Sequence, residues 1–406
     1  MSDLLYEASK QIRILRNINW ERSVKERFFK SKKQELPNPE YPSLDLSETR
    51  RLIKKIKGKI PSSSPFKNWA NDKADILESS ALMLSNLGKP EFYTYSSMLY
   101  GSPKDMLPDE QNTSLDLARH FENMYLNIDK LGLDSQSEDN LDAKQVQRRM
   151  KEAVEDMFGE DAPNVIIDEE VSSKAIAGRR RIRIREDAMF SDMDVDQLIH
   201  HEAYIHVATS INGYNQKNLK ILSAAHPGTT KTQEGLAVFA EYITGHLDLD
   251  RLRRLSDRIL AIQMAIDGAD FIEVFKFYVD HTGNEDIAFE NTRRVFRGGI
   301  ITGGAPFTKD IVYLDGLINV HSFFRTAVSD GKAEILPLLF VGKLDITDMA
   351  EMVQFQKLGI LNAPKYLPPW IKDIRFLLTY LAYSSFLNNI ELDIMKPHYL
   401  RMINEL

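Results

Sequence analysis

The chain has 406 residues, with 52 Lys and Arg against 59 Asp and Glu, and no cysteine. Without cysteine it cannot build a disulfide framework, a zinc ribbon, an iron–sulfur cluster or a thiol nucleophile, so any metal must be held by His, Asp or Glu. A hydrophobic fraction of 43% and a charged fraction of 27% exclude disordered and collagen-like classes and leave room for two or three domains, or one large core with a helical wrap.

The opening Met1-Ser-Asp-Leu-Leu-Tyr-Glu lacks a basic segment followed by an apolar one, so no signal peptide is expected. The most apolar stretches, 335–341 and 376–386, fall short of the roughly 18–20 residues of a membrane span. The expected location is therefore the cytoplasm, with no membrane partner. A net charge of −7 argues against nucleic acid. Residues 1–60 nevertheless carry 15 basic and 8 acidic residues. They read either as a solvated helix face, with Glu21/Lys25 and Glu26/Lys30 at pairing distance, or as a docking surface for an acidic partner.

The first 150 residues read as helices: 4–29, stopped by Pro37-Asn-Pro-Glu-Tyr-Pro42, then 49–59 and 73–87, with polar connectors at 101–114 and 133–142. After Pro163 the pattern changes. Asn164-Val-Ile-Ile-Asp168 reads as a buried strand, and Arg179-Arg-Arg-Ile-Arg-Ile-Arg185 alternates with period two. A strand with one fully cationic face is expected at a sheet edge, where it could also receive an acidic peptide by strand addition. Ser191-Asp-Met-Asp194 starts a helix that continues to about Ser210, where Asn212-Gly213 is expected to break it. Another helix is expected from Thr232 to Thr244, stopped by Gly245. Helices return after Asp248, interrupted by the glycine-rich segment 298–304. That segment lacks a Gly-Lys-Ser/Thr ending and reads as a turn or lid rather than a phosphate loop.

His200-His-Glu-Ala-Tyr-Ile-His206 carries the chemistry. A His-Glu pair with another His about one turn later is the arrangement of helical zinc peptidases, in which two imidazoles bind the metal and the glutamate holds the attacking water. The spacing is irregular, because His201 and His206 lie at i,i+5 and diverge by roughly 140° on an ideal helix. Either they are two ordinary histidines, or a π-type distortion returns them to one face. Thr232-Gln-Glu-Gly-Leu-Ala237 supplies the third element. Glu234, expected in the first turn of its helix, either completes a His₂Glu site or serves the helix dipole. Glu241, seven residues on, is a candidate acceptor for a ligand imidazole.

His-Glu-x-x-x-His followed about thirty residues later by Gln-Glu-Gly-Leu-Ala resembles the bacterial QEGLA-motif proteins and their eukaryotic relatives, the microtubule-associated tyrosine carboxypeptidases. Arg294-Val-Phe-Arg-Gly298, Gly303-Gly304 and Phe307-Thr-Lys-Asp-Ile-Val-Tyr-Leu-Asp-Gly316 resemble that family's later blocks. The likeness spans about 163–316, extends to Tyr366-Leu-Pro-Pro-Trp370, and is weak over 1–110. It implies an α+β, mostly helical protein. A zincin-like catalytic core at 151–320, with a small sheet, an edge strand and active-site helices, would be wrapped by helical regions at 1–150 and 321–406.

The resemblance further implies a Zn²⁺ metallopeptidase of carboxypeptidase type, with His201, His206 and Glu234 on the metal and Glu202 as general base. Tyr313 and His226 are the candidate oxyanion donors, Tyr313 favoured because it lies in a family block. Lys174, Arg294, Arg297 and Lys309 are candidates to grip a substrate carboxylate. The expected partner is a flexible peptide or protein C-terminal tail, acidic if the Arg179–Arg185 strand receives it. The competing reading is a non-catalytic peptide-binding or regulatory protein that uses the same cleft.

Overall fold

Apolar residues at helical spacing make the N-terminal stretch helical, but 4–29 is not one helix. It divides into Ser2–Gln11, Ile14–Asn17 and Arg22–Lys30. The proline-containing stretch that follows carries no regular element until Ser47–Lys57. This computed structural model describes residues 1–60, 66–129, 140–169, 171 and 173–403. The connector expected at 133–142 lies mostly outside them, and the one at 101–113 is irregular as expected. The helices that frame the site are α1 (Lys67–Ser85), α2 (Ala143–Phe158), α3 (192–214), α4 (Pro227–Ile243), α5 (Leu249–Ile266) and α6 (Val312–Ser329).

The molecule is mostly helical with one small sheet among the described residues. Strands β1 (Asn164–Asp168), β2 (Ala175–Gly178) and β3 (Arg181–Arg185) are ordered β1-β3-β2. The arginine-rich strand is thus the central one, not an edge, parallel to β1 and antiparallel to β2. Two features permit this. Ile182 and Ile184 are fully buried in a cluster with Val146, Met150 and Val154 of α2. On the other face, Arg183 meets Asp168 of β1 at 3.3 Å and Arg185 meets Asp187, just past the strand, at 2.9 Å, so two of the three arginines are paired, and Arg181 is exposed. Because β3 is flanked on both sides, any added strand would have to join at β1 or β2.

Helix α3 starts as the sequence indicates. The Ser191 Oγ accepts from the Asp194 N–H at 3.1 Å, and Asp194 Oδ2 accepts from the Ser191 N–H at 3.0 Å. It is α-helical over Asp192–Leu198, π-helical over Ile199–Val207 and α-helical again over Ala208–Tyr214. Asn212-Gly213 does not break it. The Asn212 side chain donates to the carbonyls of Phe340 and Tyr366 at 2.7 Å and accepts from the Lys365 and Tyr366 amides at 2.9 Å. A side chain so occupied does not compete with its own helix backbone. Gly213 sits so close to the next segment that a Cβ there would lie 2.1 Å from the Leu222 carbonyl oxygen.

Helix α4 begins five residues earlier than the sequence suggested, because Pro227 occupies the first helical position, where its missing N–H costs nothing. It ends at Ile243, with Gly245 following at φ +78°. Helices α4 and α6 touch backbone to backbone. A Cβ on Gly235 would stand 2.3 Å from the Gly316 carbonyl oxygen, and one on Gly316 would stand 2.3 Å from that of Lys231. The glycine of Gln-Glu-Gly-Leu-Ala is therefore a packing requirement. One buried cluster gathers Leu5, Leu77, Leu236, Phe324 and Leu381, so N-terminal, central and C-terminal segments share a core. Among the described residues no helix is long and apolar enough to cross a membrane.

Gly235→Ala forces this crossing apart. We expect a loss of about 1–3 kcal/mol in denaturant unfolding, the usual magnitude of overpacking.

Candidate active site

The π segment decides the geometry. Hydrogen bonds from i to i+5 widen the turn, so residues five apart return to the same side. His201 and His206 accordingly face one another, with ring centroids 4.9 Å apart and planes at 83°. Glu234 comes from α4, two turns in rather than in its first turn. Its Oε2 lies 3.6 Å from Nε2 of His201 and 3.6 Å from Nε2 of His206. One ligand atom from each of the three residues falls within 4.8 Å of the other two. Bonds of about 2.0–2.1 Å to a tetrahedral ion separate ligand atoms by roughly 3.4 Å, so this donor set could hold zinc or a similar divalent metal.

Two of the three members are held from behind, while the Nδ1 of His206 is buried without a hydrogen-bond partner among the described residues. The His201 Nδ1 meets Glu241 Oε1 at 2.6 Å, which leaves Nε2 turned toward Glu234. Glu241 is fully buried, and Arg251 of α5 donates to its two oxygens at 3.0 and 3.1 Å. Burial pushes the Glu241 carboxyl up, but Arg251 and His201 outweigh it and hold the group at about 2. Burial likewise pushes His201 down, while its bonds to Glu234 and Glu241 raise it to about 10. The other Glu234 oxygen, Oε1, lies 3.3 Å from the Lys309 ammonium. Burial raises the Glu234 carboxyl, and Lys309 with the two imidazoles brings it well below the usual carboxylate range.

Glu202 follows His201 on the π segment, and its Oε2 accepts from the Ala177 N–H of β2 at 2.9 Å. Successive backbone groups of extended chain alternate in direction, and Lys174, the residue before β2, accepts through its carbonyl from the Arg185 N–H of β3. The Ala177 N–H therefore points outward, and the outer edge of β2 fixes the carboxylate.

The structure brings Lys309 and Tyr313 to this centre. The Lys309 ammonium is 3.4 Å from the Tyr313 hydroxyl, and the Arg258 guanidinium stands 4.7 Å from the centroid of the Tyr313 ring. Arg294 is one step away, bound to Asp310 through Nε at 2.5 Å and Nη2 at 2.9 Å. Burial lowers Arg297 to about 10, with the Arg294 charge adding to the effect, and its guanidinium lies 5.7 Å from the Phe307 ring. Lys174 is occupied by Asp194 at 2.6 Å. His226 is buried, its ring lowered to about 3 by burial and by the charge of Lys73. His200 stacks on His246 at 5.0 Å and is lowered to about 4, mainly by burial. It takes no part in the triad.

Sequence reading missed Arg251, Asp310 and the Ala177 amide. Arg251 is ten residues from Glu241 with a helix end between them, so no periodicity links the two. The amide leaves no trace in residue identity. Asp310 stood in plain view, beside Lys309 in the same block.

A sequence profile of the microtubule-associated tyrosine carboxypeptidases matches residues 26–389. The chain belongs to that family. No curated protein matches the chain. Membership implies a peptidase of the tyrosine carboxypeptidase type, and the match covers every residue of the site, from Ala177 to Tyr313. It also takes in most of the N-terminal region, where the motifs gave little sign of likeness.

Glu241→Gln breaks a buried charge network and leaves Arg251 uncompensated. A loss of about 3–5 kcal/mol is expected in denaturant unfolding. Glu202→Gln, which keeps an oxygen for the Ala177 amide, should stay within about 1 kcal/mol of the parent chain.

Proposed function

We propose that the protein is a zinc-dependent carboxypeptidase that removes C-terminal residues from flexible peptide or protein tails. The observation that carries this reading is the convergence of His201, His206 and Glu234 from two helices, with Glu202 next to His201 in the chain and its charge acting on that imidazole. The family supports a peptidase of this type, and the donor set supports the metal. A π-distorted His-Glu helix, a carboxylate from the next helix and a β edge at Glu202 support reading the centre as a zincin-like core.

Zinc bound by these three residues would supply a Lewis acid that lowers the pKa of a water toward about 7 and polarises the scissile carbonyl. The protein's own groups do the rest. Glu202 is held at Oε2 by the Ala177 N–H, and Oε1 takes the proton of the attacking water and passes it to the leaving amine. Lys309 keeps Glu234 Oε1 engaged, so that Oε2 presents to the imidazoles. Glu241 and Arg251 fix the His201 ring and its tautomer. Tyr313, whose hydroxyl lies 3.4 Å from the Lys309 ammonium, donates to the oxyanion that develops on the substrate carbonyl in this reading.

Metal analysis of purified protein should give about one zinc per chain, retained in Glu202→Gln and lost in the His201→Ala, His206→Ala double variant. Mass spectrometry of a peptide library should show loss of terminal residues with the wild type and turnover at least about 100-fold lower with Glu202→Gln. Absence of metal under zinc-replete conditions would leave a binding protein. Internal cuts would leave a peptidase but not a carboxypeptidase.

A further inference from the structure

A carboxypeptidase needs a cation for the terminal carboxylate of its substrate, and most cations near this centre are already committed. Lys309 faces Glu234, Arg294 is bound at two nitrogens to Asp310, Arg251 is bound to Glu241, and Lys174 is bound to Asp194. Arg297 has Arg294, Asp310, Arg293 and Tyr313 as its charged or ionisable neighbours, not Glu202 or Glu234.

Arg258, against the Tyr313 ring, has no ion pair among the described residues either, but its charged neighbours are Arg294, Asp310, Tyr313 and Arg251; Lys343 differs in having Glu234 and Glu202. Among the described residues its ammonium has no ion pair and no hydrogen bond, although it is partly buried. Burial lowers its proton affinity, and the charges that oppose the effect are those of Glu234 and Glu202. Those are the carboxylate that converges with the two histidines and the carboxylate next to His201, so the ammonium lies within electrostatic reach of both.

The backbone that carries Lys343 is anchored. Its N–H donates to the Leu222 carbonyl at 2.6 Å. The preceding Gly342 is packed so tightly that a Cβ would stand 2.7 Å from that oxygen and 3.0 Å from the Cα of Gly213 on α3. Two residues further on, Asp345 Oδ2 accepts from the Thr232 hydroxyl at 2.9 Å, and the Thr232 oxygen accepts from the Ile346 N–H at 2.9 Å. Thr232 lies two residues before Glu234. The lysine is thereby fixed to both helices that supply the triad.

A half-buried ammonium that makes no direct ion pair has lost part of its hydration without a contact to replace it, and an arriving anion supplies that contact. We propose that the Lys343 ammonium receives the free α-carboxylate of the last residue of the peptide. This assignment rests on the carboxypeptidase reading and names the residue that makes it an exopeptidase.

The test compares one peptide with a free C-terminal carboxylate and the same peptide with a C-terminal amide, using zinc-loaded full-length protein. Binding is measured by fluorescence anisotropy in the Glu202→Gln background, and turnover in the wild-type background. Lys343→Met should weaken binding of the free acid by about 10- to 100-fold and raise KM more than it lowers kcat. Binding of the amide should stay within about threefold, and zinc content should match the parent. Lys343→Arg should recover most of the preference for the acid. Equal weakening of acid and amide, or an acid preference unchanged in Lys343→Met, overturns the assignment. If the wild type releases no terminal residue from the acid, the carboxypeptidase reading itself fails. A lower melting temperature in Lys343→Met together with loss of zinc would make the residue structural, and would overturn the assignment as well.

Discussion

The site depends on one departure from regular helix geometry. Nine residues of α3 close their hydrogen bonds one residue further along than an α-helix does, and only that brings two imidazoles five positions apart to a common side. The distortion is supported at both ends. A reciprocal Ser191–Asp194 box fixes the start of the helix, and the Asn212 side chain fixes its end to two carbonyls of the C-terminal third. Helix α4 then contributes its carboxylate at a distance set by contacts between glycines and backbone rather than by side-chain packing. Small changes in either helix would separate the three donor atoms that now converge.

Around this centre, charge is arranged in pairs that point inward. Arg251 neutralises Glu241, which polarises His201. Lys309 takes one oxygen of Glu234 and frees the other. Arg294 and Asp310 close a second buried pair next to Lys309 and Tyr313. Such pairs contribute little net stability, since desolvation offsets attraction, but they fix orientation where a solvated group would rotate. Their cost is carried by the apolar clusters in which the helices are embedded.

Much of this was legible in the residues. The three side chains that converge, and Glu202, lie in the His-Glu-x-x-x-His and Gln-Glu-Gly-Leu-Ala motifs, and the i,i+5 spacing left two alternatives, two ordinary histidines or the π distortion that the helix in fact adopts. The strand pattern of 181–185 was right in its buried face and wrong in its place, because alternation reports which side is buried and not how many neighbours a strand has. The start of α4 was set too late because its first turn, Pro227-Gly-Thr-Thr230, is made of residues with low helix propensity. Asn212-Gly213 was misjudged because a polar residue with tertiary partners looks, in one dimension, like a turn former. Lys343 carried no signal, being a single lysine between two short helical turns that the fold alone carries to the site.

The sheet has two outer edges, and a helix side chain caps each. Gln147 of α2 donates to the Val165 carbonyl of β1, and Glu202 accepts from the Ala177 amide of β2. Exposed strand edges invite pairing with other chains, so the acid assigned to the chemistry also helps to shield the chain against self-association. A variant that truncates this side chain would uncover a sticky margin as well as a silent centre, and its behaviour in a crowded solution would reflect both.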